Sequence, residues 1–192
     1  MTITPYRVFA EKGSKPKETS PAVTERTTQR KEPSRVSLFG GYELTQGNLK
    51  SLLPGGIEAR LAFDLPLGRG AWPALRFELG YAGFGGLPGA STHSVTGMAW
   101  GAGPAWLIRP SKLHNGHVIG GVLAGSILAR IQGPTVETQS NLLAAIVLLG
   151  YEYPLGPVLL FVQARGGYIA DQNNPLMSAG GVLGVARPLF DD

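Results

Sequence analysis

Glu58, Arg60 and Asp64 stand at alternate positions in GIEARLAFDLPL, and Arg76 and Glu78 do the same in ALRFELGYA. Residues spaced by two share one face of a β-strand. The intervening GRGAWP reads as a Gly/Pro turn, so the two segments fold back as a hairpin. That hairpin sets Asp64 near Arg76 and, diagonally, Arg60 near Glu78. Arg165, in FVQARGGY, can join them from a later strand. Two chemistries fit such a group. One is a catalytic carboxylate or an ion path. The other is a network of buried ion pairs, in which each charge needs a partner because an unpaired one is costly away from water. The second reading is the one adopted.

Nucleophilic and metal chemistry find little support. THSV puts His93 beside Ser94, on opposite faces of a strand, His117 is followed two residues on by Ile119, and His114 lies in the turn-like SKLHNGH. No serine has a histidine placed to accept its proton. His114 and His117 alone are a weak ligand pair for a metal. The chain has no cysteine, so it has neither a thiolate ligand nor a disulfide. GPTVETQS and GFGGLPGAST share only glycine content with phosphate-binding loops, since no Lys-Ser/Thr pair follows them. The sequence therefore assigns no catalytic residue, no metal and no cofactor, and the chain is expected to be non-enzymatic.

The elements that would carry these residues are strands. In GIEARLAFDLPL, Ile57, Ala59, Leu61, Phe63 and Leu65 alternate with Glu58, Arg60, Ala62 and Asp64; in ALRFELGYA, Leu75, Phe77, Leu79 and Tyr81 alternate with Arg76, Glu78, Gly80 and Ala82. Eight segments of this kind are expected, at about 35–45, 56–66, 74–83, 94–108, 117–131, 141–153, 158–169 and 177–189. Turn-forming runs separate them, so the predicted topology is an antiparallel meander. Residues 1–34 differ: they hold seven Lys and Arg against four Glu, four prolines and no apolar periodicity. They are expected to be a disordered or extended tail preceding a barrel at 35–190. The opening MTITPYRVFAEKGSKPK has no apolar segment of the kind a secretory signal carries.

The most apolar stretch, LLGYEYPLGPVLLFVQARGGY, tests strand against membrane helix. Leu142 to Val162 has the length for a bilayer-crossing helix, but Glu152, Pro154, Gly156 and Pro157 interrupt it. An ionisable residue at a helix centre costs about 2.5–3.5 kcal/mol on insertion scales. Two strands joined at PLGP avoid that cost and place Glu152 beside the turn, near water. On the second strand Val158, Leu160, Val162, Ala164 and Tyr168 share one face, with Leu159, Phe161, Gln163 and Arg165 on the other.

Charged residues are only 16% of the chain, and glycine is 28 of 192 residues, about twice the usual share. So few charges cannot cover a wetted exterior. The large apolar residues therefore face outward, and the small and charged ones face the lumen, the polarity of a membrane barrel. Aromatic residues fall near strand ends: Trp72, Trp106, Tyr151, Tyr153 and Phe190 at one end, Tyr42, Tyr81, Phe84 and Tyr168 at the other. Such clusters read as two interfacial girdles. A net charge of +4 is too small for a nucleic-acid-binding face.

In strand count, alternation, girdles and turn chemistry, residues 35–190 resemble the small eight-stranded outer-membrane barrels of Gram-negative bacteria, of the OmpA/OmpX size class. The resemblance implies an all-β, eight-stranded, antiparallel up-and-down transmembrane barrel in the bacterial outer membrane. It implies a filled, weakly conducting or non-conducting lumen and a structural, anchoring or partner-binding role. The partners would be outer-membrane lipid and, through the tail, a periplasmic protein or the cell wall. Pro104, inside a strand, is expected to mark a bulge. Two other readings remain: a soluble calyx-type barrel binding an apolar ligand, and a helical membrane protein built around residues 94–108 and 117–162.

Overall fold

The computed structural model describes residues 33–68, 73–85, 93–108, 116–133, 137–170 and 175–189. Trp72, Arg109, His114, Phe190 and residues 1–32 of the tail lie outside them. Eight strands follow in chain order: β1 (Arg35–Gln46), β2 (Gly55–Pro66), β3 (Ala74–Gly85), β4 (Ser94–Ile108), β5 (His117–Gln132), β6 (Glu137–Leu155), β7 (Val158–Ala170) and β8 (Leu176–Pro188). Each strand pairs antiparallel with its neighbours in sequence, and β1 pairs with β8 to close the barrel. A single 3₁₀ turn, Gly47–Ser51, interrupts the β1–β2 connection. Residues 94–108, 117–132 and 137–155 are strands, which removes the helical reading.

Alternation positions everything else. In β2 the odd-numbered Ile57 and Leu61 face outward, at 63% and 51% exposure, while Glu58, Arg60, Ala62 and Asp64 are buried inside. In β3 Phe77, Leu79 and Tyr81 face outward, and Arg76, Glu78 and Ala82 inward. The register aligns these outward residues into rows: Val185, Leu38, Leu61, Leu79 and Trp100 are consecutive cross-strand neighbours on β8, β1, β2, β3 and β4. All five are exposed.

The β6–β7 hairpin turns on two residues, Gly156 and Pro157, with Leu155 opposite Val158. Gly156 has φ of +62, which a two-residue hairpin demands at its first central position and glycine adopts without strain. The turn is tighter than the expected PLGP, because Pro154 and Leu155 remain in β6. Glu152 is corrected with it. Far from standing near water, it points into the barrel and is 1% exposed.

Pro104 makes no bulge. The β4–β5 register is unchanged between Ala102↔Ala124 and Ala105↔Gly121, with no residue inserted. Pro104 lacks an N–H to donate, and the pairing lapses only at Gly103 and Pro104.

The interior holds three apolar clusters besides its charges. Phe39, Ala62, Phe161, Val182 and Ala186 pack around an edge-to-face pair of Phe39 and Phe161, whose ring centroids are 5.7 Å apart. Ile119, Leu123, Ile146 and Leu148 line the β5–β6 wall. A third cluster, including Leu53, Phe84, Ile127, Ile169 and Leu176, lies at the end of the barrel away from the Arg35–Pro188 pair. Phe84, expected in a girdle, belongs to this cluster at 5% exposure. Its even number in β3 gives it the inward parity of Arg76 and Glu78.

Candidate functional site: a charge network in the lumen

Four arginines and four carboxylates meet inside the barrel. Arg35 opens β1 and reaches Asp64 on β2 at 2.9 Å and Glu152 on β6 at 2.5 Å. Arg76 on β3 lies 3.5 Å from Asp64, its direct cross-strand neighbour, and donates to Glu78 at 2.9 Å. Arg60 donates to Glu58 at 2.6 Å and stands 3.8 Å from Glu78 across the β2–β3 diagonal. Arg165 crosses from β7 to Glu78, with Nη2–Oε2 and Nη1–Oε1 distances of 2.6 and 3.2 Å. It also lies 3.2 Å from Glu58.

The geometry thus brings together all six residues singled out from their spacing: Glu58, Arg60, Asp64, Arg76, Glu78 and Arg165. Their exposure is 5% or less in every case. Glu78 is the hub, with three guanidinium groups around it. Phe39 supports the same group from below, its ring centroid 5.0 Å from the Arg165 guanidinium carbon and 5.8 Å from that of Arg76. Cations over an aromatic face are held there by its quadrupole.

Arg35, Glu152 and Glu43 escaped the sequence reading. Arg35 stands at the expected start of the first strand, with no opposite charge two residues away to mark it as a lumen residue. Its partner Glu152 is 117 residues away and is reached only because the barrel closes. Glu43, on β1, accepts a hydrogen bond from Ser178 of β8 at 2.5 Å. The signal for Glu43 was present, since its parity in β1 is that of buried Ser37 and Phe39.

The outward aromatics occupy two levels. Tyr42, Tyr81 and Tyr168 sit toward the loop end on β1, β3 and β7, with exposures of 49%, 43% and 45%. Trp106, Tyr151 and Tyr153 sit toward the opposite end on β4 and β6. Trp100, midway along β4 and 54% exposed, is an outward aromatic that belongs to neither level. Among the described residues, no group of three or more His, Asp and Glu is placed to hold a metal ion.

An apolar exterior, a charged interior and eight closed antiparallel strands define a transmembrane-type β-barrel. No family profile matches the chain, and no curated protein does. Among solved structures, Neisserial surface protein A (NspA) superposes with a TM-score of 0.62 at 17% identity, over 81% of this chain and 97% of that one. The attachment invasion locus protein Ail of Yersinia pestis superposes with a TM-score of 0.54 at 13% identity, over 81% of this chain and 98% of its own. The fold is therefore that of the small eight-stranded outer-membrane barrels.

Proposed function

We propose that the chain is an integral protein of the bacterial outer membrane, in which a rigid, sealed barrel serves as an anchor for what lies at its two ends. The observation that carries this reading is the inverted polarity. Large apolar side chains such as Leu38, Ile57, Leu143, Val147 and Leu183 are 58–71% exposed on the outside. Arg76, Glu78, Glu152 and Arg165 are 1–3% exposed on the inside. Water would penalise the first set, whereas lipid favours it. Strands of 12 to 19 residues exceed the roughly 9–11 that a tilted strand needs to cross a bilayer.

The filled lumen supports a structural rather than a transport role, since ion pairs and Phe39, Phe161 and Leu148 occupy the bore. It also weighs against the soluble calyx, whose cavity would be apolar and vacant for a ligand. No catalytic group is assigned. Residues 1–34 would hang on the side of Arg35 and Pro188, the periplasmic side in this reading, as a tether to a periplasmic protein or the cell wall.

The test is refolding into phosphatidylcholine vesicles. The folded barrel should resist protease there and migrate differently on a gel before and after boiling. A chain that stays in the aqueous phase, monomeric and without a heat shift, would sink the reading.

A further inference from the structure

The outer wall is not evenly clad. Ala102, Ala124 and Ala145 are consecutive cross-strand neighbours on β4, β5 and β6, and they share the outward parity of Trp100, Val122 and Val147. Two inter-strand spacings make the three alanines a shallow hollow about 10 Å across. Phe77 and Tyr168 bound it on β3 and β7. One step nearer the loop end runs the row of Trp100, Ser126 and Leu143, with Trp100 54% exposed beside the hollow.

Two polar groups in this patch face lipid tails, which offer them no hydrogen bond. Ser126 has outward parity yet is 4% exposed, sunk between Trp100 and Leu143, its neighbours across the two ladders. Among the described residues neither the Ser126 hydroxyl nor the Trp100 indole N–H takes part in a hydrogen bond. In lipid, small residues that admit close approach and polar side chains in need of a partner are what hold transmembrane segments together.

The depths of ring and hollow fit a second copy of the same wall. Two copies inserted in one orientation are related by a two-fold axis along the membrane normal, so a ring on one meets a hollow on the other only if both lie at the same depth. The row through Trp100 starts near the Arg35–Pro188 end, at Val185 and Leu38, and reaches the loop end of β7 at Ala170, beyond Leu143. Passing from β4 to β6 along a row therefore climbs toward the loop end, by about 6 Å for strands tilted by about 40°. The two-residue step from Leu143 back to Ala145 descends about 5 Å. Ala145 thus lies at nearly the depth of Trp100, and β5 lies midway between them. An axis passing beside Ala124 and Ser126 on β5 carries Trp100 of each copy onto Ala145 of the other and turns the two Ser126 hydroxyls toward each other. A hydroxyl both donates and accepts, so each can serve the other.

We propose that the β4–β6 wall is a self-association surface whose partner is a second copy of this chain in the same membrane. Trp100 of each copy sits in the alanine hollow of the other, and Ser126 stands at the two-fold axis. The proposal rests on the bilayer-spanning reading above.

The chain has no cysteine, so a single introduced one reports on its own position. In the test, the full chain carrying Ala124→Cys is refolded into phosphatidylcholine vesicles at low protein-to-lipid ratio, treated with a membrane-permeant oxidant and run on non-reducing gels. Insertion is checked separately by the heat shift. A disulfide-linked dimer should form several-fold faster than with Ala59→Cys, an exposed outward alanine on β2, three strands round the wall. Adding Ala145→Phe, which fills the hollow, should slow the Ala124→Cys dimer to the Ala59→Cys rate. The surface is overturned if heat-shifted Ala124→Cys and Ala59→Cys cross-link at one rate. The seating of Trp100 is overturned if Ala145→Phe leaves the rate unchanged. Should Ala145→Phe lack the heat shift, Trp100→Ala, which removes the ring, decides by the same criterion. An unsubstituted chain that fails to insert would instead refute the bilayer-spanning reading.

Discussion

Glu78 carries more of the lumen than any other single residue. Three guanidinium groups converge on its carboxylate, and its side chain has no exposure. Breaking a buried pair by removing one partner leaves an uncompensated charge and costs about 3–5 kcal/mol. Glu78→Gln should therefore lower the unfolding free energy in urea titrations by that order, and by more than Asp64→Asn. Asp64 is less exposed to such loss because its partners have alternatives: Arg35 keeps Glu152 and Arg76 keeps Glu78. The same geometry predicts non-additivity. Asp64→Ala combined with Arg76→Ala should cost less than the sum of the two single changes, because the pair removes both charges of one contact. Strict additivity in that cycle would show that the 3.5 Å approach carries no energy.

At the scale of elements, the alternation in β2 and β3 was legible because their two faces differ sharply, charge against Leu and Phe. The parity that exposes Leu61 buries Arg60, and no other assignment satisfies both. β5 and β6 were harder. Their inner face carries Ile119, Leu123, Ile146 and Leu148, and their outer face carries Val122, Leu128, Val147 and Leu149, so both faces are apolar and the pattern carries no direction. Glu152 was misplaced there because its distance from the turn depends on where the turn begins, and with Gly156 rather than Pro154 as the first turn residue Tyr153, Pro154 and Leu155 still separate it from the turn. Barrel closure was equally invisible locally, since Arg35 and Glu152 meet only once all eight strands are in place. Two outcomes follow. An arginine at Leu61 or Phe77, near mid-strand on the outer face, should impair folding into vesicles by about 2–4 kcal/mol, against about 0–1 kcal/mol for one near the interfaces, such as at Leu44. Gly156→Ala meets no neighbour within 4 Å, yet its φ of +62 should cost about 1–2 kcal/mol from the left-handed backbone alone. Both are read from denaturant midpoints of refolded barrels.

For the whole molecule, the open question is what the first residues contribute to the barrel. Their seven Lys and Arg, four Glu and four prolines offer no apolar stripe whose burial could offset the entropy of ordering them. The barrel, in contrast, begins abruptly. The Leu189 N–H bonds the Ser34 carbonyl at 2.8 Å, and Arg35 immediately enters the lumen network. The boundary that matters for stability therefore lies between residue 32 and Ser34. Deleting residues 1–32 should leave the heat shift and the melting temperature unchanged, because the strands and lumen ion pairs of the described residues all lie beyond residue 32. Extending the loss of interactions by one step, with Arg35→Ala in the truncated chain, should destabilise it by about 3–5 kcal/mol, since both Asp64 and Glu152 lose a buried partner. The contrast separates a tether from a plug. If the tail only tethers the barrel to something beyond it, truncation alters neither bilayer current nor stability. A tail that enters the lumen would instead give a truncated barrel with higher current or a melting temperature lower by several degrees, and either result would refute the tether.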